Sequence, residues 1–218
     1  MAFHKIDWDQ WERAEYFRYY KDCIKTHYNL TLRLDVTALR RELDKRGLKF
    51  YPAFVWAVMK AVNSHKEFRM AVDGEGNLGW YDECHPGYTV LHRDTGTFSD
   101  LWSEYSPSFR AFYGNMTGDM EKYGQVHRLK GKPGCPPNFC SLSCVPWLDF
   151  TGYGCDTYGD SEMYFPVILF GRYRQEGQAL TLPFNIWVHH AVADGWHIHL
   201  LVDTLQQLLA EPESWLDN

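Results

Sequence analysis

The sequence predicts one domain, residues 1–218, built on a mixed α/β sheet covered by helices. Three observations carry that expectation. Strand-period and helix-period stretches are intermixed, with no linker, repeat or low-complexity tract among the 218 residues. A glycine-rich connection between two strand-like runs signals a hairpin. Near the end, Leu182, Phe184, Ile186 and Val188 recur at every second position, the period of a strand with one buried face. The Asp194-Gly195 pair breaks that pattern, and Ile198, Leu201, Val202, Leu205, Leu208 and Leu209 continue at helical spacing.

The elements follow in chain order. Residues 7–22 are predicted helical: Trp8, Trp11 and Glu15 recur at helical steps, with Asp7 or Asp9 as cap. Leu30 to Asp35 alternates as a strand. Thr37 to Arg46 reads as a polar-faced helix stopped by Gly47. Pro52 suits the first turn of the next helix, which runs to about Ser64 and is apolar nearly all round, so it should be buried. Arg69 to Val72 and Leu78 to Tyr81 flank the hairpin connection, and Tyr88 to His92 and Gly96 to Leu101 continue the β pattern. A helix is expected over Phe109 to Lys122 and a long loop over residues 131–138. Strands are expected over Phe139 to Val145, Tyr164 to Arg172 and Leu180 to His189, and a helix closes the chain.

Composition bounds the function. A net charge of −6 gives no reason to expect nucleic acid or an anionic membrane as partner. Aromatic residues make up 17% of the chain, with 9 Trp and 14 Tyr, a supply suited to large apolar pockets or subunit interfaces as well as to core packing. The six cysteines form no Cys-x-x-Cys pair, and Cys140 and Cys144 have no matching His or Cys set nearby, which argues against zinc. The N-terminus lacks the apolar core of a signal peptide and no apolar run reaches membrane-span length. A cytoplasmic protein with reduced thiols is expected.

The chemistry is expected between residues 180 and 199. His190 continues the apolar face of the last strand, while His189 belongs with Thr181, Asn185 and Trp187 on the other. An imidazole at a strand end, with a carboxylate four residues on at the mouth of a helix, can serve as a general base. The residues alone leave other readings open. His190 suits a hydrogen-bonded core histidine, Asp194 suits a plain helix N-cap, and His197 and His199 read as surface or packing residues.

The string from His189 to His197 resembles the active-site signature of the chloramphenicol acetyltransferase family. A shorter His-x-x-x-Asp-Gly core also occurs in dihydrolipoamide acyltransferases and peptide-synthetase condensation domains. The likeness recurs in order at Trp11 and Arg13, Lys49 to Pro52, Phe68 to Ala71, Ser143 to Trp147 and Tyr173 to Gly177. It implies an α/β (α+β) two-layer sandwich and a homotrimeric, acetyl-CoA-dependent enzyme that needs no metal. The catalytic histidine would come from one subunit and much of the acceptor pocket from its neighbour. The resemblance makes His190 the general base, Ser143 the donor to the oxyanion, and Arg13 the partner of a structural Asp194. Tyr51 and Tyr173 would flank the coenzyme's adenine, with Lys49, Arg172 and Trp147 close by.

For the acceptor, chloramphenicol, the resemblance implies a pocket of Tyr20, Ile24, Tyr28, Phe98, Tyr153, Cys155 and Leu169. Tyr20 and Phe98 match the family, whereas Ile24, Tyr28, Tyr153 and Cys155 differ in size or polarity. Leu169 replaces a threonine that holds a water near the oxyanion, and leucine cannot hold one. Ala193 and Trp196 depart from a cysteine and a smaller aromatic. Two rivals follow: a relative that acetylates another hydroxylated small molecule, and a non-catalytic relative that only binds an apolar ligand. A lipoyl-dependent acyltransferase core fits less well, since the lipoyl domain and linker usual in such chains are absent.

Overall fold

The computed structural model describes residues 2–155 and 163–218. A seven-stranded sheet forms its centre. Its strands are β2 (His27–Asp35), β5 (His85–His92), β6 (Thr97–Trp102), β7 (Phe139–Val145), β8 (Val167–Gly171), β9 (Arg174–Glu176) and β10 (Ala179–His189). The order is β2-β10-β8-β7-β5-β6, with β9 paired to the start of β10. The β5–β7 and β7–β8 pairs are parallel and the rest antiparallel. The sheet is therefore mixed, as the intermixed patterns predict. A smaller antiparallel sheet joins β1 (Phe3–Lys5), β4 (Leu78–Tyr81) and β3 (Met70–Val72). The expected hairpin is β3–β4, whose Asp73 carboxylate accepts from the N–H groups of Glu75 and Asn77 to close the turn.

Helix α2 (Thr37–Arg46) ends where expected, at Gly47 with a left-handed φ of +66°. Helix α3 (Phe50–Asn63) has ten of its fourteen residues buried, so its all-round apolarity does mean a central position. Helix α4 (Phe109–Tyr123) and helix α5 (Gly195–Ala210) pack against α3. Their apolar faces and the Leu182, Phe184, Ile186 and Val188 face of β10 share one core with Leu34, Phe54, Leu142 and Phe170.

Three expectations are corrected. The first helix does not begin at residue 7. Asp7 accepts from the N–H of Asp9 in a local turn, and Trp8 and Trp11 pack edge-on and tilted against Phe17. Helix α1 spans only Ala14–Arg18 and continues as a π-helical turn over Tyr19–Cys23. The strand expected from Tyr164 starts at Val167, because Pro166 brings no N–H to a ladder. Finally, β10 is buried on both faces: Asn185, Trp187 and His189 are as inaccessible as the core side. Trp187 stacks on His27 at 4.3 Å, Tyr164 lies 4.9 Å from His189, and the Tyr153 carbonyl accepts from Asn185 at 3.3 Å.

Candidate active site

Two groups of predicted residues assemble. The first lies where β10 hands over to α5. The strand ends at His189, whose ring is buried and whose Nδ1 accepts from the N–H of Ala191 at 3.2 Å. Burial, followed by His27, His190 and Lys21, lowers its pKa from 6.5 to about 4, which makes it a neutral strut. His190 lies beyond the ladder and is partly buried, outside the apolar core. Its backbone N–H donates to the Thr26 carbonyl at 3.0 Å. Its ring stacks on Tyr20 at 3.8 Å and 8° and faces Tyr28 at 5.5 Å. Among the described residues Nδ1 is buried without a partner.

Asp194 is both a cap and an ion-pair partner, so the two readings of it hold together. Its extended backbone makes it the N-cap of α5, and its Oδ1 accepts from the N–H of Trp196 at 3.1 Å. Its Oδ2 accepts from Arg13 Nη1 at 2.7 Å, and Arg13 Nη2 reaches the His190 carbonyl at 3.3 Å. Burial alone would raise the Asp194 carboxyl. The Arg13 hydrogen bond and the charges of His197 and Arg13 outweigh it and bring the pKa down to about 2. His197, expected as a packing or surface residue, instead lies 2.8 Å from Asp194 Oδ1. Its place three residues after an aspartate cap was the sequence signal.

The second group surrounds a cavity of about 810 Å³ whose lining includes Tyr51, Phe98, Ser143, Trp147, Arg172 and Tyr173. Gly171 lets the walls meet: a Cβ there would come within 2.6 Å of the Leu148 carbonyl. Trp147 and Tyr173 are 49% and 38% exposed, so large apolar faces line the mouth. The Tyr51 hydroxyl is buried without a partner among the described residues. Burial, then Cys144 and Tyr88, holds its pKa well above the ordinary value. Lys49, the exposed residue before α3, is not among the residues lining this cavity, and its backbone N–H donates to the Tyr113 hydroxyl at 2.9 Å.

Ser143 Oγ lies 3.2 Å from Thr89 Oγ1, a partner that sequence reasoning missed and that only the β5–β7 register brings alongside. Thr89 also borders a second cavity of about 430 Å³, where Asp100 and Lys130 form an ion pair at 2.8 Å. Leu169, nearly buried, pairs with both Ser143 and Asn185. Ile24, Tyr153 and Cys155 are exposed and join neither cavity. Ser143 therefore sits two strands from β10, level with Asn185, while His190 follows Asn185 by five residues. At ~3.3 Å per residue and ~4.8 Å per strand, that is about 16 Å along the sheet and about 10 Å across.

A family model described as chloramphenicol acetyltransferase matches residues 1–206. The chain belongs to the chloramphenicol acetyltransferase family. A chloramphenicol acetyltransferase of Clostridium perfringens is 38% identical over 216 residues, covering 99% of each chain. One of Clostridium butyricum is 35% identical over the full length of both. Among solved structures, a chloramphenicol acetyltransferase superposes with a TM-score of 0.84 at 22% identity, over 95% of this chain and 100% of that one. The Azotobacter vinelandii dihydrolipoamide acetyltransferase shares the fold more distantly, with a TM-score of 0.67 at 14% identity over 88% and 84% of the two chains. The two-layer acetyltransferase fold expected from the sequence is the one observed.

Proposed function

We propose that residues 1–218 act as one domain of a homotrimeric O-acetyltransferase that transfers the acetyl group of acetyl-CoA to a hydroxyl of chloramphenicol. The observation that carries this reading is the Arg13–Asp194 pair, whose guanidinium also holds the His190 carbonyl and so anchors the backbone that carries the imidazole. A neutral imidazole nitrogen aimed at a hydroxyl can take its proton.

In the proposed reaction His190 removes the acceptor's hydroxyl proton as the oxygen attacks the thioester carbonyl. The carbonyl electrons move onto oxygen, and the Ser143 hydroxyl donates a hydrogen bond to that oxyanion. Collapse breaks the carbon–sulfur bond, and the CoA thiolate recovers the proton from His190. The products are the acetyl ester and CoA, and no acyl-enzyme forms. Tyr51, Trp147 and Tyr173 supply the flat faces for the adenine, and Arg172 a cation for the coenzyme's phosphates.

The separation of His190 and Ser143, on the order of 15–20 Å within one chain, is too long for one hydroxyl to meet both. Two copies reconcile them: His190 of one protomer completes the Ser143 cavity of another. Tyr20 and Tyr28 then present the acceptor to His190, and Phe98, Leu169, Ile24, Tyr153 and Cys155 shape the pocket around it. Among the described residues no helix is long and apolar enough to cross a membrane, and all six cysteines are free, which suits work in the cytoplasm.

The test is CoA thiol release from acetyl-CoA with chloramphenicol. Release that depends on chloramphenicol and is lost in His190→Ala supports the reading. A second reading, acetylation of another hydroxylated small molecule, is favoured by Leu169 beside Ser143 and by the Asp100–Lys130 pair in the adjoining cavity. Release with other alcohols but not with chloramphenicol selects it.

A further inference from the structure

The ring of His197 stands closer to Asp194 than a packing residue needs to. His197 is the third residue of α5, and its side chain is 15% exposed, less than that of the carboxylate it touches. Its Nδ1 lies 2.8 Å from Asp194 Oδ1 and 3.2 Å from the Asp194 backbone nitrogen. An ionised carboxylate only accepts, so the shorter contact requires a proton on Nδ1. With that proton in place Nδ1 cannot also accept from the backbone N–H. The ring is thus a donor to Asp194, the reverse of the usual box in which a third-position side chain accepts from the cap.

Asp194 is then clamped from both sides. Oδ1 takes His197 Nδ1 and the Trp196 N–H, while Oδ2 takes Arg13 Nη1. The plane of the carboxylate sets where the guanidinium lies, and the second guanidinium nitrogen reaches the His190 carbonyl. Without the ring, the carboxylate keeps the backbone N–H groups of the first turn of α5 and one arginine, but loses the side-chain donor that fixes its plane toward the guanidinium.

We propose that His197 is a positioning residue for His190, acting through Asp194 and Arg13. The inference rests on the reading of His190 as the base and deepens it. Three variants separate a donor from a space-filler. His197→Asn puts an N–H close to the Nδ1 position, His197→Phe keeps the ring without a donor, and His197→Gln puts its N–H near the Nε2 position instead.

Two measurements apply to each variant: kcat and KM for both substrates, and the NMR signal of the His190 ring carbon between its nitrogens. We expect His197→Phe and His197→Gln to lose roughly tenfold to a hundredfold in kcat, with KM nearly unchanged and the His190 signal shifted or broadened. His197→Asn should recover most of the activity and the wild-type signal. In an Asp194→Asn background the further loss from His197→Phe should shrink to under about twofold, since contacts acting as one unit are not additive. Wild-type kcat and signal in His197→Phe, equal losses in Asn and Phe, or an undiminished loss in the Asp194→Asn background would each overturn the proposal. If His197→Phe does not fold, the Asn–Gln contrast decides. If the wild type turns over no acceptor, the enzymatic reading fails while the His190 signal still tests the positioning.

Discussion

Around His190, three donors converge on the Asp194 carboxylate and a fourth contact runs from Arg13 to the peptide carbonyl. Around Ser143, by contrast, a hydroxyl contact with Thr89 sits beside a largely apolar cavity whose walls include the rings of Tyr51, Phe98 and Trp147. The first region is fixed before any ligand arrives; the second offers shape and apolar surface to whatever fills it. A proton acceptor must keep its direction, because a misplacement of about 1 Å can cost a hundredfold in rate. A coenzyme pocket must bury a large flat molecule, and exposed aromatic faces do that with few fixed hydrogen bonds.

That difference can be broken in steps. The largest effect is expected from His190→Ala, with kcat falling by about 10²–10⁴-fold while a thermal melt stays near wild type, since the ring's Nδ1 has no hydrogen-bond partner among the described residues. Ser143→Ala should lower kcat by roughly a hundredfold or more with little change in either KM. Co-expressing the two inactive variants should restore activity if one protomer's His190 serves another's Ser143; two inactive proteins giving an inactive mixture would place both groups in one chain. Trp147→Ala sharpens the contrast from the cavity side. It should raise KM for acetyl-CoA about tenfold and leave kcat nearly intact, whereas changes around Asp194 act on kcat.

The smallest and slowest effect is acid sensitivity. His189 binds its proton at about 4 when folded against an ordinary 6.5, so the unfolded chain takes up more protons between those values. Stability should therefore fall as pH drops from about 6.5 to about 4. Asp194, held at about 2 against an ordinary 3.8, contributes stability that is present above pH 4 and lost as pH falls towards 2. The midpoint of denaturant unfolding, followed against pH, should decline across both windows, and His189→Gln should flatten the upper one.

Much of the frame was legible along the chain. Gly47 marked the end of α2 because a left-handed C′ position suits glycine, and Pro52 marked the first turn of α3 because its missing N–H is not needed there. The pair His190 and Asp194 was legible from spacing at a strand-to-helix junction, and Arg13 from the family pattern. The start of α1 was not, since the contacts of Trp8 and Trp11 with Phe17 overrule their helical spacing. Strand β1 was missed because three residues carry no period.

The sequence by itself determined most of the local grammar: most of the helices and strands, Asp194 as a cap for α5, and the placing of the histidine pair where the last strand gives way to that helix. Only the tertiary structure decided what those residues touch. It buried the second face of β10 under His27, Tyr153 and Tyr164. It set His197, read from sequence as a surface or packing residue, against Asp194 and set Thr89 against Ser143 through strand register. Periodicity and capping are properties of neighbours a few residues apart. The site is made of contacts across as many as 181 positions of chain, and those are set only when the sheet and its covering helices pack together.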